Sequence, residues 1–460
     1  MIEQVKDQKI LIVGMARSGL AAARLVGRLG ARQVTVADRK STRELSRQLV
    51  VLAGLPAAVP VTGGTPPELV DPEISLVIKS PGVPPHLELL ARAEKLGIPV
   101  LSEIEIAYAV MKAPLIGVTG TNGKTTTTML IAAMMEEARY GGVKAAGNIG
   151  VPLSEVADRV GAAGVVVAEL SSFQLSTINR FRPLVAVYLN FEEDHLDYHG
   201  SLERYFEAKS NILKNQTAVD YAVLNAGDPR VASLAGRVRG NLVWFKRGLL
   251  ERGFGVQGEQ MVLFRPGEVQ PICRLAEIAL PGEHNLENAL AAAAAAWAAG
   301  ADLTAVAKVL RRFPGVEHRL EPVGSLGGVE YINDSKGTNP GAAINALRAY
   351  PGRKKILIAG GKDKGGSFKS LVGVIKEEVK WVILMGETAD QIARELEEAG
   401  FKGYQKVKGL EEAVAEARQK AQPGEMVLLS PACASWDMFA DFEERGRQFK
   451  QLVESLQIRP

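Results

Sequence analysis

Short apolar runs recur along the chain, and turns separate them from segments whose apolar residues recur at helical spacing. The runs are rich in β-branched residues, which is typical of strands in parallel sheets that helices cover on both faces. The pattern therefore predicts an α/β protein with mostly parallel sheets. The clearest runs are 9–14, 33–37, 75–78, 164–168, 184–189, 354–361, 381–386 and 426–431.

The most informative motif is the glycine-rich segment 117–125, which lies between a predicted strand and a predicted helix. Such a turn directs backbone N–H groups into one concavity that suits phosphate oxygens. Lys124 can reach the outer phosphates of a nucleotide, and the Thr125 hydroxyl can bind Mg²⁺. Val118 stands where the strict motif has glycine, so a turn without nucleotide is the alternative. The predicted phosphate contacts are Gly120, Thr121, Asn122, Gly123, Lys124, Thr125 and Thr126.

A chain of 460 residues is too long for one hydrophobic core. The predicted strands group into three α/β units, which the segments near residues 102 and 315 separate. We expect an N-terminal Rossmann-like domain at 1–102, a central P-loop-type ATPase domain with a mostly parallel sheet at 103–315, and a C-terminal Rossmann-like domain at 316–460.

Composition and charge exclude several classes of protein. A net charge of +3, from 55 basic and 52 acidic residues, gives no reason to expect a nucleic-acid or membrane partner. The two cysteines, Cys273 and Cys433, have no metal-type spacing, and they suit a reducing cytoplasm. The apolar run 289–299 is too short to span a bilayer and predicts a buried helix.

The first predicted strand leads into a second glycine turn, Gly14 to Gly19, in which Ala16 replaces the middle glycine of a dinucleotide fingerprint. Asp38 follows Gly19 by nineteen residues, where a ribose-binding acid stands in nicotinamide-binding domains. A nicotinamide cofactor is therefore one interpretation of this unit.

Three segments of the central unit carry groups suited to metal binding. Glu169 ends a predicted strand and can hold Mg²⁺ beside Thr125, although a surface glutamate next to a helix cap is the alternative. The run 192–199 is rich in carboxylates and histidines, where His195 suits Mn²⁺ better than Mg²⁺, and a charged solvated loop is the alternative. Nothing in the spacing distinguishes Lys209 from an exposed helical lysine.

Later segments offer groups for a nucleotide or a small anion. Asn285 and Asn288 are one helical turn apart and can face one planar ligand, although Asn285 could equally cap the helix. The segment 331–340 puts an acid, a lysine and several amides and hydroxyls into one strand-to-helix turn. The loops 362–364 and 430–435 add cations and hydroxyls, or they are ordinary turns.

Together these stretches resemble the Mur ligase family over essentially the whole chain. Residues 117–125 match its G-x-T-G-T-N-G-K-T loop, including the valine, 194–199 match D-H-x-D-x-H, and 284–288 match H-N-x-x-N. The segments 169–175, 333–339 and 430–437 resemble the branch that adds D-glutamate, and the D-N-P-R motif of the diaminopimelate-adding relative is absent. In this family the first domain holds a UDP-sugar, which disfavours the nicotinamide interpretation.

The resemblance implies ATP-dependent amide formation through an acyl phosphate, in cytoplasmic peptidoglycan precursor synthesis. The implied substrates are UDP-N-acetylmuramoyl-L-alanine, D-glutamate and ATP with two Mg²⁺ ions, and the implied protein is a monomer. Another Mur-type or folylpolyglutamate-type ligase is the nearest alternative. A nucleotide-sensing regulator that keeps the fold is the alternative outside enzymes.

The resemblance also implies a role for individual residues. Lys209 would be carbamylated by CO₂ and so become an anionic metal ligand. The implied catalytic groups are Lys124, Glu169, His195 and Lys209, and the implied metal ligands are Thr125, Glu169, His195 and Lys209. Further nucleotide contacts would be Asn285, Asn288, Arg319, Asp334 and Lys336. The UDP substrate would meet Arg17, Ser18, Asp38, Arg39, Ser80, Gly82, Asn148 and His195, and D-glutamate would meet Thr338, Lys364, Ser435 and Phe442.

Overall fold

A computed structural model describes residues 5–363 and 365–458. The chain divides into two compact units, residues 1–278 with 287–312 and residues 279–286 with 313–460. Helices alternate with strands in both units, and most neighbouring strands are parallel, which confirms the predicted α/β class.

The first sheet of the larger unit is built from residues 9–102 and is parallel throughout its described strands. Ile10 and Ile12 face one buried cluster and Leu11 and Val13 face another, as the apolar run predicts for a strand covered on both sides. In spatial order its strands are β3 (Ala58–Val61), β2 (Gln33–Ala37), β1 (Lys9–Val13), β4 (Ile74–Lys79) and β5 (Val100–Ser102). The accompanying helices are α1 (Arg17–Arg28), α2 (Ser46–Ala53), α3 (Glu88–Lys95) and α4 (Glu103–Val110).

The second sheet of the same unit is mixed, with an antiparallel part formed by its last strands in sequence. In spatial order its described strands are β14 (Glu268–Arg274), β13 (Gln260–Arg265), β12 (Gly253–Gln257), β11 (Asn241–Phe245), β10 (Tyr221–Asn225), β9 (Val185–Tyr188), β6 (Leu115–Thr119), β8 (Val165–Glu169) and β7 (Val143–Gly147). The helices from this part of the chain are α5 (Lys124–Glu137), α6 (Ser172–Leu175), α7 (Leu196–His199), α8 (Leu202–Ser210), α9 (Pro229–Ala232), α10 (Glu283–Ala298) and α11 (Leu303–Arg312).

The smaller unit contains a sheet that is parallel except for its first strand. In spatial order its described strands are β15 (Glu321–Leu326), β16 (Val329–Asn333), β20 (Met426–Leu429), β17 (Lys355–Ala359), β18 (Val379–Leu384) and β19 (Tyr404–Lys406). Its helices are α12 (Pro340–Arg348), α13 (Lys369–Glu378), α14 (Ala389–Glu398), α15 (Leu410–Lys420) and α16 (Phe442–Ile458). The division into three domains stays a prediction.

The alanine-rich run predicts a buried helix, and it forms most of α10. Residues 289–296 are all completely buried, because small side chains let the helix lie close to its neighbours. Within the described residues, no helix combines the length and apolar character needed to cross a bilayer.

Candidate active site

The glycine-rich loop joins the end of β6 to the start of α5, as the sequence predicts. Gly123 is the N-cap of α5 and has a φ of +81°, a left-handed conformation that favours glycine. A Cβ atom at this position would also lie only 2.1 Å from the Asn288 Oδ1 atom. Because Gly123 has no side chain to cap the helix, the first N–H groups of α5 can donate hydrogen bonds to phosphate oxygens instead.

Asn190, which lies shortly after β9, holds the glycine-rich loop by hydrogen bonds to its backbone. Its Oδ1 atom accepts hydrogen bonds from the backbone N–H groups of Thr121 and Asn122, at 3.1 and 2.8 Å. The sequence marks Asn190 as a polar strand end but gives no sign of this role. In the first turn of α5, the Thr126 Oγ1 atom is buried with no hydrogen-bond partner among the described residues.

Thr125 and Glu169 meet as the sequence predicts for a magnesium pair. The Thr125 hydroxyl donates to the Glu169 Oε2 atom at 2.6 Å, and the Asn148 amide donates to Oε1 at 2.9 Å. The capping box of Ser171 and Gln174 also forms, but it does not account for the position of Glu169, which is 2% exposed. Buried hydroxyl and carboxylate oxygens are a donor set that fits Mg²⁺.

Lys209 is not the exposed lysine that its local sequence suggests, because it is 2% exposed. Its ammonium donates to the Gly120 carbonyl oxygen at 2.6 Å and lies 4.8 Å from the centre of the Tyr205 ring. Lys124 donates to the same carbonyl at 3.0 Å. Burial, reinforced by the charge of Lys124, holds the pKa of Lys209 well below its usual range.

The segment 192–199 is only partly a solvated loop. His195 has a φ of +52°, and its ring lies edge-on to Phe173, with centroids 4.8 Å apart. His199 is 8% exposed, contacts the Ser172 hydroxyl at 2.9 Å and stacks on Phe173. An aromatic cluster therefore fixes the segment that carries His195.

The dinucleotide-like turn of the first sheet is filled by internal contacts. The Asp38 carboxylate accepts the backbone N–H groups of Met15 and Lys40, at 2.8 and 3.0 Å. A Cβ atom at Gly19 would lie 1.8 Å from the Gly14 carbonyl oxygen, so this glycine serves close packing. Ser80 is buried and donates to the same carbonyl at 3.1 Å.

The other residues predicted to meet the UDP substrate lie around this turn and beyond it. Arg17 is exposed at the start of α1, and its guanidinium lies 3.5 Å from the Gly150 carbonyl oxygen. Ser18 is half-buried, and Arg39 and Gly82 are exposed.

In the smaller unit, Asp334 and Arg319 form a partly buried polar group. Asp334 accepts a hydrogen bond from Ser430 at 2.7 Å, and burial raises its pKa to about 6, which the charge of Arg319 counters in part. The Arg319 Nε atom is buried with no hydrogen-bond partner among the described residues. A donor in this condition is suited to an anionic ligand.

The predicted D-glutamate contacts also lie in the smaller unit. The Lys336 ammonium lies 5.1 Å from the centre of the Phe442 ring. Ser435 is buried, and Thr338 is half-buried. Lys364 lies outside the described residues.

Arg445 was not predicted, and it holds the two loops that carry these contacts. It is completely buried in α16. Its guanidinium donates to the Ser335 hydroxyl and carbonyl at 3.0 and 2.8 Å and to the Cys433 carbonyl at 3.2 Å. Arginine presents five N–H donors in a fixed plane, so one side chain can join two loops.

Asn285 does not cap α10, which corrects one of its two interpretations. The helix begins at Glu283, and the Asn285 amide donates back to the Pro281 carbonyl at 2.7 Å. Asn288 accepts a hydrogen bond from the Thr127 hydroxyl at 3.4 Å. Asn288 therefore contacts the helix that follows the glycine-rich loop.

A glycine-rich loop between a parallel strand and a helix, with a hydroxyl–carboxylate pair beside it, is the arrangement of a P-loop-type nucleotide-binding domain. The family model for the Mur ligase middle domain matches residues 118–296, and that for the Mur ligase glutamate ligase domain matches residues 318–433. The chain belongs to the Mur ligase family.

The chain is similar to curated and solved members of this family along its whole length. The UDP-N-acetylmuramoylalanine--D-glutamate ligase of Pelotomaculum thermopropionicum is 46% identical over 99% of this chain and 99% of that protein. The UDP-N-acetylmuramate-alanine ligase MurC of Thermotoga maritima has a TM-score of 0.60 at 21% identity, over 98% of this chain and 100% of that one. The MurF ligase of Thermotoga maritima, solved with ADP, has a TM-score of 0.58 at 18% identity, over 99% of this chain and 97% of that one.

Proposed function

We propose that this chain is an ATP-dependent ligase that joins D-glutamate to UDP-N-acetylmuramoyl-L-alanine in peptidoglycan precursor synthesis. The observation that carries the proposal is the nucleotide loop with its Thr125–Glu169 pair. The full-length similarity to a ligase named for this reaction supports the choice of substrates.

The reaction proceeds by activation of a carboxylate. A carboxylate oxygen of the L-alanyl group attacks the γ-phosphorus of ATP, the bond to the ADP oxygen breaks, and an acyl phosphate forms. The amine nitrogen of D-glutamate then attacks the acyl carbon, loses a proton, and inorganic phosphate leaves. Both steps gather negative charge in one place, so cations must offset it.

Lys124 and the first N–H groups of α5 would bind the β- and γ-phosphates of ATP, together with residues 120–126. Thr125 and Glu169 would hold one Mg²⁺ ion and His195 would hold a second, with Mn²⁺ as a substitute. Carbamylated Lys209 would be a further metal ligand. When bound, these ions neutralise the charge that develops on the transferred phosphoryl group. The buried oxygens of the Thr125–Glu169 pair support the first of these sites.

Lys209 would act as a carbamate. Its neutral amine nitrogen would attack the carbon of CO₂ and lose a proton, which leaves an anion able to bind a metal ion. The lowered pKa of Lys209 supports this step, since only the neutral amine is nucleophilic.

Further nucleotide contacts would be Asn285, Asn288, Arg319, Asp334 and Lys336. D-glutamate would be held by Thr338, Lys364, Ser435 and Phe442. The buried Arg319 Nε atom supports an anionic ligand near this group.

The residues proposed to bind the UDP substrate are Arg17, Ser18, Asp38, Arg39, Ser80, Gly82, Asn148 and His195. We further propose functional domains at 1–102, 103–315 and 316–460. The first would bind the UDP substrate, the second would bind ATP, and the third would bind the amino acid and part of the nucleotide. A monomer in the cytoplasm completes the proposal.

A panel of L- and D-amino acids tests the proposal. Purified protein is mixed with ATP, Mg²⁺ and UDP-N-acetylmuramoyl-L-alanine, and phosphate release is recorded for each amino acid. We expect release with D-glutamate alone. Turnover with L-glutamate or L-alanine but not D-glutamate would identify a sister ligase, and ATP binding without any acceptor-dependent release would identify a nucleotide sensor.

A further inference from the structure

Lys79 is a buried lysine to which neither the sequence nor the proposed chemistry gives a role. It ends β4, is 3% exposed, and directly precedes Ser80. Burying an ammonium costs free energy unless hydrogen bonds hold it. Its contacts therefore show what the position is built for.

The Lys79 ammonium joins two segments that are far apart in sequence. It donates to the Val83 carbonyl oxygen at 3.0 Å and to the Tyr198 hydroxyl at 2.6 Å, across 119 positions of the chain. The Tyr198 hydroxyl lies 3.4 Å from the same Val83 carbonyl. Three polar groups thus close one small network between the 80–83 turn and α7.

Both segments carry residues of the proposed reaction. The turn contains Ser80 and Gly82, which would meet the UDP substrate, and α7 directly follows His195. Tyr198 packs edge-on against Phe173, with ring centroids 4.4 Å apart, and Phe173 packs in the same way against His195 at 4.8 Å. The contacts therefore run without a gap from the turn to the imidazole.

We propose that Lys79 is a positioning residue that ties the 80–83 turn to Tyr198 and thereby sets His195 relative to the UDP-sugar site. This inference rests on the proposed function, because it uses the roles given there to Ser80, Gly82 and His195. Burial lowers the pKa of Lys79 to about 8, so the ammonium form still predominates at neutral pH. A charged donor makes the stronger hydrogen bond to a phenol oxygen.

Lys79→Met keeps the length of the side chain and removes its donors, and Tyr198→Phe keeps the ring and removes its hydroxyl. Each variant removes the hydrogen bond between Lys79 and Tyr198. The loss of a charge-assisted hydrogen bond changes an equilibrium constant by about tenfold or more. We expect the KM for the UDP substrate and the Mg²⁺ concentration for half-maximal rate to rise by about tenfold. The KM for D-glutamate should stay within about twofold, because its proposed contacts lie in the other unit.

The effects of Lys79→Met and Tyr198→Phe should be clearly less than additive in the double variant, because both remove the same Lys79–Tyr198 bond. The matched control is Lys95→Met, an exposed lysine at the end of α3. Kinetic constants of Lys79→Met equal to those of Lys95→Met, or a uniform loss of kcat with unchanged KM and Mg²⁺ dependence, would overturn the inference.

Amide hydrogen exchange separates this inference from the proposed function, since it needs no turnover. Exchange in the 80–83 and 194–200 segments should become about tenfold faster in Lys79→Met and stay unchanged in Lys95→Met. Unchanged exchange in Lys79→Met would reject the inference that Lys79 holds the two segments together, even if the enzyme is active. If the wild-type protein is inactive but amide exchange is faster in Lys79→Met, the ligase proposal is rejected. The inference that Lys79 holds the two segments together then stands.

Discussion

Two lysine ammoniums, those of Lys124 and Lys209, donate to the single carbonyl oxygen of Gly120. Two positive charges that share one acceptor oxygen repel each other, so the state in which both lysines are protonated is disfavoured. Burial disfavours that state further. Lys209 is the more buried of the two, and burial together with the charge of Lys124 holds the pKa of Lys209 well below its usual range. At the scale of one residue, the proposed carbamate of Lys209 depends on this lowered pKa.

The variant Lys209→Ala tests that role. We expect a loss of turnover of about a hundredfold or more, since the substitution removes the proposed carbamate and with it an anion that would bind metal. Short carboxylates such as acetate or formate should restore part of the rate by standing in for the carbamate. Phosphate release with and without added carboxylate measures both effects. Arg204→Ala, an exposed cation on the same helix, is the control, and near-wild-type activity of unsupplemented Lys209→Ala would exclude the role.

Among the helices, α4 has an unusual first turn, with two buried glutamates. The Glu105 carboxylate is satisfied, because it accepts backbone N–H groups from Asn179, Arg180 and Phe181 at 2.9, 2.5 and 3.0 Å. Glu103 is less well provided for: its Oε1 atom accepts from the Ser154 N–H at 2.5 Å, and its Oε2 atom is buried without a partner in the described chain. Burial raises the pKa of Glu103 from 4.5 to about 7.

This raised pKa makes stability depend on pH. Between about pH 4.5 and 7 the folded protein keeps a proton that the unfolded chain releases, so the free energy of unfolding falls as pH rises. At about 1.4 kcal/mol for each pH unit, the cost is about 3 kcal/mol above pH 7. Glu103→Gln removes that cost, so it should raise the thermal midpoint more at pH 8 than at pH 5.

Thermal unfolding at both pH values, with Glu94→Gln on the exposed face of α3 as control, measures the difference. An equal shift of Glu103→Gln at the two pH values would contradict the assignment. Sequence analysis placed the start of the second unit at the beginning of α4 but predicted no helix there. The burial of its glutamates was not predictable, because their partners come from residues 154 and 179–181, far along the chain.

At the scale of the whole molecule, the sequence separation between two contacting residues decides whether the sequence predicts their contact. The glycine-rich loop and its helix are contiguous, so their pattern alone predicts them. The Thr125–Glu169 pair was also predictable, since Glu169 ends one parallel strand and Thr125 begins the helix that follows another, and the ends of parallel strands share an edge of the sheet. The bonds of Lys209 to Gly120, Lys79 to Tyr198 and Arg445 to Ser335 span 89, 119 and 110 positions, and no local pattern encodes such distances.

The smaller unit can be tested for independent folding, because its sheet has an apolar cluster on each face. One cluster includes Leu357 and Leu428, and the other includes Ile358 and Phe449. A sheet covered on both sides can fold independently, so residues 313–460 expressed alone should unfold cooperatively on heating. Phe449→Ala in the same fragment should lower its stability by about 4 kcal/mol, since Phe449 is completely buried. Circular dichroism against temperature measures both, and a fragment without a cooperative transition would mean that this unit depends on the rest of the chain to fold.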